Sequence, residues 1–195
     1  MEIISEVTLL SIILTGAALI REREHGTLEH LLVMPLRPFE IMMAKVWANS
    51  LVVLVCAALS LRFMVQGALE MPIAGSTVLF LFGVLLHLFS TASIGILMAT
   101  LARSMPQFGL LMILVILPLQ LLSGGVTPRE SMPEVVQTIM LAAPTTHFTA
   151  AAQAILYRGA GLEVVWPQFA AIIGIGVVFF VAALRRFRAS LAAQS

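Results

Sequence analysis

Apolar runs of bilayer length, broken by one dense charged stretch, leave this chain few ways to fold. From Ile3 to Ile20 the only charge is Glu6, and from Ile41 to Leu61 the only charge is Lys45. Further apolar runs cover about Thr77–Leu101, Phe108–Leu122 and Pro167–Leu184. Runs of roughly 20 apolar residues match a hydrocarbon core of about 30 Å. Backbone crossing that core has no water to bond to, so each run must close its own hydrogen bonds as a helix. Composition agrees: 60% of the 195 residues are hydrophobic, 11% are charged and the mean hydropathy is +1.04, against about 25% charge in a soluble domain. The expected fold is all-α, a polytopic membrane protein with about five transmembrane helices.

The charged stretch runs from Arg21 to Pro38. Leu28, Leu31 and Leu32 recur at helical spacing while Glu22, Glu24 and Glu29 keep the surrounding turns charged, the pattern of a short amphipathic helix lying at a membrane face. Pro35 ends it by removing a donor and crowding the preceding turn. Pro38 then suits the first position of the next helix, with Glu40 in its first turn near the positive end of the dipole.

The run from Thr77 carries His87, Ser90, Thr91 and Ser93 with Gly83 and Gly95, small and polar residues that let helices approach and hydrogen-bond across an interface. Residues 102–107 form a tight turn. Beyond the Pro118-containing run and the break at Ser123–Pro128, the chain does not read as another plain span. Ser131 is positioned to cap a short helix reaching about Ala142, and Thr146 to cap a second reaching Tyr157 and closing at Arg158-Gly159. Two half-length helices around Pro144 predict a re-entrant hairpin, tolerated where protein or water covers it.

Five spans place Arg21, Arg23, Arg37, Lys45, Arg103, Arg185, Arg186 and Arg188 on one side and Arg62, Arg129 and Arg158 on the other. The positive-inside rule turns the first side, with the charged stretch and the C-terminus, to the cytoplasm and the hairpin outward. The chain then starts on the outside with no basic leader before its first span, which reads as a missing N-terminal portion. Glu6 lies near that end, where a carboxylate can reach the interface.

Signs of chemistry are sparse. No His-Glu-x-x-His occurs, and His25 and His30 stand on different helical faces, so no metal site is expected. His87 and Ser90 share a face at i, i+3, and Ser123 precedes two glycines, leaving an intramembrane Ser-His hydrolase as a reading beside polar packing. Arg23 separates Glu22 from Glu24. No phosphate-binding loop surrounds the single lysine, Lys45, so energy for any driven work must come from another subunit. Cys56 sits in an apolar run and is expected as a small core residue rather than a redox group. The basic residues form no nucleic-acid-binding face.

Arg-Glu-Arg-Glu-His-Gly-Thr-Leu-Glu-His-Leu-Leu-Val-Met-Pro (21–35), followed by Pro38-Phe39-Glu40-Ile41-Met42, resembles the signature of type-two ATP-binding cassette (ABC) exporter permeases. So do the Ala102-Arg103-Ser104 turn, the Leu-Ser-Gly-Gly-Val-Thr-Pro block after Leu121, Ala-Pro-Thr-Thr-His-Phe (143–148) and the run around Leu156–Gly161. The likeness is to bacterial inner-membrane permeases of the drug or secretion type and covers essentially the whole chain. It implies a coupling helix at the charged stretch, with Glu22, Glu24, Gly26, Thr27 and Glu29 as docking and turn-forming positions. It also implies an ABC ATPase partner, a second permease copy or paralogue, and in some relatives a periplasmic adaptor. ATP would be bound and split on the partner, with no cofactor or catalytic residue on this chain. Residues 1–195 would be a single permease domain that enters at the family's second span, without its N-terminal span and extracytoplasmic domain. The competing expectation is a degenerate or truncated half-permease that inserts without transporting.

Overall fold

A computed structural model describes residues 2–25, 37–63, 74–124 and 132–192. They form helices α1 (Glu2–Glu24), α2 (Pro38–Ser60), α3 (Thr77–Leu101), α4 (Met105–Leu121), α5 (Glu134–Met140), α6 (Pro144–Arg158) and α7 (Leu162–Ala192), with no strand among the described residues. α1, α2, α3 and α7 are each long and apolar enough to cross a membrane. The 17 residues of α4 reach only about 26 Å. Across its end lies a bent pair: α5 and α6 meet at 89°, as expected of a re-entrant hairpin.

The helix directions follow from the contacts. Hydrogen bonds between α1 and the α3 region join residues 79, 77, 79, 76 and 80 apart, from Thr8–His87 to Arg23–Ala102. A nearly constant offset means that α1 and α3 run parallel and in register along their length. Gly83 meets Phe169, and Gly176 meets Phe89 and Ser90, so α7 is parallel to α3 as well. α2 and α4 run the other way: Lys45 reaches Glu22 and Asn49 reaches Thr15, while Met105 meets Glu24 and Gln120 meets Ser5. α3 is the hub, packed against all five of α1, α2, α4, α6 and α7, and most of its length is buried.

The core divides in two. One apolar cluster gathers Leu19, Ile20, Met42, Val46, Ile96, Phe108, Phe180 and Phe187 near the α1 and α3 C-termini. The other gathers Val7, Val53, Phe80, Val84, Phe148, Ile155 and Phe169 toward the opposite end. Between them lies a buried polar layer of Thr8, Ser11, Thr15, Ser50, His87, Ser90 and Thr91. In lipid, helices gain little from burying apolar surface against each other, so close packing and hydrogen bonds at such a layer carry much of the association. Two glycines let α1 and α3 approach closely. A Cβ at Gly95 would stand 2.7 Å from the Ile12 carbonyl oxygen, and one at Gly16 would collide with Phe108 and lie 2.9 Å from the Gly95 carbonyl.

Four local expectations are revised. Arg21–Glu24 are the last turn of α1 rather than part of a loop. Thr146 lies inside α6, whose cap position is Ala143, held extended at φ −93°, ψ 125° ahead of Pro144; a residue before proline is driven out of the helical region, so the proline sets the helix start three residues earlier. α7 begins at Leu162, not Pro167. The ring of Pro167 crowds the carbonyl of Glu163, which sits in the first turn and can tilt away. At the far end of α6, Gly159 takes φ +64°. The Gly159 and Ala160 N–H groups then return to Ile155 and Ala154, the left-handed closure anticipated from Arg158-Gly159. Ser131 itself lies outside the described residues, and the expected cap there is not borne out: α5 starts at Glu134 with Pro133 at its cap position.

Candidate functional site

Successive residues on a helix point about 100° apart, so three in a row at the end of α1 can engage three neighbours. Glu22 forms an ion pair with Lys45 of α2, with the lysine Nζ donating to Oε1; both side chains are largely covered, at 28% and 14% exposure. Arg23 points to α3: its two terminal nitrogens donate to the carbonyls of Ala102 and Ala99 at 2.7 Å each. The last carbonyls of a helix lack intrahelical donors, and a cation there also meets the negative end of the dipole. Glu24 accepts from the Met105 N–H at 3.0 Å, supplying the N-terminus of α4, whose own cap residue Ser104 makes no side-chain bond. Residues 23 and 24 thus grip the α3–α4 turn from both ends. The turn is braced internally by the Arg103 N–H donating to Gln107 at 2.7 Å.

The other root of the charged stretch is as defined. The Arg37 N–H donates to the Glu40 carboxylate at 2.9 Å, with Pro38 at the first helical position. Of the positions singled out in the sequence, Glu22 and Glu24 therefore lie in this junction, and Gly26, Thr27 and Glu29 lie outside the described residues, as do Leu28, Leu31 and Leu32. Arg23, which separates the two glutamates, and Lys45, the lone charge between Ile41 and Leu61, belong to the junction as well, although neither was among the expected docking positions. The available signal was the charge pattern: an Arg in the last turn of one span and a lone Lys one turn inside the next both need partners in lipid.

The polar layer forms a second feature. Thr8 donates to the Ile4 carbonyl at 2.8 Å and accepts from His87 Nε2 at 2.8 Å; its single proton being spent on Ile4 assigns the His87 proton to Nε2. Thr91 bonds Ser11 at 2.9 Å. The imidazole stacks on Phe148 of α6, ring centroids 4.3 Å apart and planes 10° apart, and Phe80 flanks the same ring at 6.1 Å. Ser90 Oγ has no partner and does not reach His87, while Ser123 Oγ donates to the Gln120 carbonyl. His87 is thus engaged by Thr8 and Phe148 rather than by Ser90, the arrangement expected of polar packing between helices. Among the described residues no three His, Cys, Asp or Glu side chains gather as metal ligands.

Glu22, Arg23 and Glu24 thus join the end of α1 to α2, α3 and α4. Residues 3–157 match the family model described as ABC-2 type transporter. The chain belongs to the ABC-2 type transporter family. It is 66% identical over 191 residues to the inner membrane transport permease YhhJ of Escherichia coli K12, covering 98% of this chain and 51% of that protein. It is 32% identical over 176 residues to the probable multidrug ABC transporter permease YbhR of the same strain, covering 90% and 48%, and 29% identical over 160 residues to YbhS, also named a probable multidrug ABC transporter permease, covering 78% and 41%. The chain thus spans about half the length of the curated relatives it matches.

Proposed function

We propose that this chain is the membrane-spanning part of an ABC exporter permease in the bacterial inner membrane, moving substrate with energy from ATP hydrolysed on a partner ATPase. The observation that carries the reading is the junction: the segment between α1 and α2 is rooted in contacts that reach α2, α3 and α4 at once. A partner that displaces this segment displaces the bundle. The segment holding Glu22, Glu24, Gly26, Thr27 and Glu29 is the docking element, with Glu22 and Glu24 at its root and Glu29 on the part offered to the ATPase. ATP stays on that partner, and this chain contributes no cofactor site and no catalytic residue. The chain works beside a second permease copy or paralogue, with a periplasmic adaptor as a further partner. Residues 1–195 act as one permease domain, its charged junction and C-terminus cytoplasmic and its α5–α6 hairpin outward, the orientation favoured by the basic-residue asymmetry.

The test is affinity purification of the chain from its native membrane in mild detergent, with ATP turnover assayed on the eluate. An ABC ATPase that co-purifies and turns over, and is lost on Glu29→Lys while membrane insertion persists, is the expected result. A clean membrane protein with no ATPase refutes the reading.

A further inference from the structure

α3 is held by specific side chains at two distant places. Near its C-terminus, Arg23 binds the Ala99 and Ala102 carbonyls and Glu24 binds the first amide of α4. In its N-terminal half, Phe80 and His87, seven residues apart and so on one face, flank Phe148 of the re-entrant helix. The ring of Phe148 is 1% exposed. The 12 residues from His87 to Ala99 correspond to about 18 Å of helix at 1.5 Å per residue. The intervening helix is closely packed: Thr91, Ala92, Ser93, Ile94, Gly95 and Ile96 are all buried, with no proline between His87 and Ala99 to absorb a displacement. Interfaces packed this tightly shift as units rather than deform.

We infer that Arg23 and Phe148 are positioning residues at the two ends of α3, which acts as the rod linking the junction to the hairpin. A movement of the α1 end that drags Arg23 carries the last turn of α3 with it. Because α3 cannot compress, the motion arrives at His87 and Phe80, and Phe148 transfers it to α6. α6 is packed along its length against both α3 and α7, and near its C-terminal end the Ala74 N–H donates to the Leu156 carbonyl at 3.1 Å, so a displacement at Phe148 is taken up by α6 as a packed unit. His87 is doubly engaged, donating to Thr8 of α1 while stacking on α6. It therefore holds α1, α3 and α6 in one register. This deepens the export reading by naming which side chains pass the movement on, and it is testable without the ATPase.

The experiment is amide hydrogen exchange on the full chain in lipid nanodiscs, comparing wild type with Arg23→Gln, Arg23→Lys and Phe148→Leu. Coupling through a packed network is modulated by amounts equivalent to about two- to thirtyfold in an equilibrium. Arg23→Gln is expected to speed exchange in α6 by a factor in that range, and Arg23→Lys, which keeps the cation, to recover most of the protection. Because coupling is reciprocal, Phe148→Leu must speed exchange at the Ala102–Met105 amides at the opposite end of α3. In each variant α2 keeps its protection, which separates a transmitted change from general unfolding. Effects confined to the mutated end, or equal acceleration in α2, overturn the rod. The ATPase purification above decides the export reading separately: a rod that transmits in a chain that binds no ATPase leaves the coupling in place and removes the partner.

Discussion

The glycine contact between α1 and α3 offers the sharpest quantitative test. A methyl group at Gly95 would lie 2.7 Å from the Ile12 carbonyl oxygen, 3.2 Å from Ile12 Cα and 3.3 Å from its carbonyl carbon. A relaxed carbon–oxygen contact is about 3.3–3.6 Å, and the atoms in the way are backbone, so α1 must retreat by about 0.6 Å or more to accept Gly95→Ala. Overpacking of this kind costs about 1–3 kcal/mol, and retreat also stretches the bonds from Ser11 and Thr8 to α3. Against this, removing a mid-helix glycine stabilises by about 0.5–1 kcal/mol. The net loss is about 1–2 kcal/mol, a fall of roughly 2–8 °C in Tm for a chain of this size. Gly109→Ala in α4 is the internal control: nothing lies within 4 Å of the added carbon, so only the helix term remains and Tm should rise slightly. Both are read by heating the detergent-solubilised protein and measuring the monodisperse fraction by size exclusion. If Gly95→Ala raises Tm as Gly109→Ala does, the close approach of α1 and α3 is wrong.

The same assay checks three further contacts. One Glu22 oxygen already lacks a partner, so Lys45→Met strands the whole carboxylate and should cost about 1–3 kcal/mol; the Glu22→Lys/Lys45→Glu exchange should recover most of it, and an unchanged Tm for Lys45→Met would discount the ion pair. Gly159→Ala places a side chain at φ +64°, a cost of about 1–2 kcal/mol, and a neutral result would mean that α6 closes differently. In the polar layer, Thr8→Val leaves His87 Nε2 without its acceptor and should lose about 1–3 kcal/mol, whereas Ser90→Ala removes a buried hydroxyl that bonds to nothing and should be neutral or stabilising. The reverse order of those two effects would refute the hydrogen-bond assignment.

What the sequence alone determined was whatever depends on local chain physics. Apolar length set the spans, because a run of Thr77–Leu101 has no alternative to a helix in lipid; its observed bounds are those read from the sequence. Pro38 with Glu40, and Arg158 with Gly159, marked helix ends correctly because capping involves residues a few positions apart. The broken pair before α7 was legible for the same reason, although Pro144 rather than Thr146 sets the start of α6. The family, too, was carried by contiguous motifs.

Tertiary structure decided which residues meet. Arg23 and Ala102 are 79 positions apart, and although alternating spans make α1 and α3 parallel, no periodicity in either segment reports that they lie side by side and in register. The charges of the junction could be counted in the sequence, but a carboxylate presented to a partner and one satisfying Met105 or Lys45 look alike there. The same holds for His87. Its helix face suggested Ser90, while the fold gave its proton to Thr8 and its ring to Phe148, because in lipid a buried donor takes the nearest acceptor that packing brings to it.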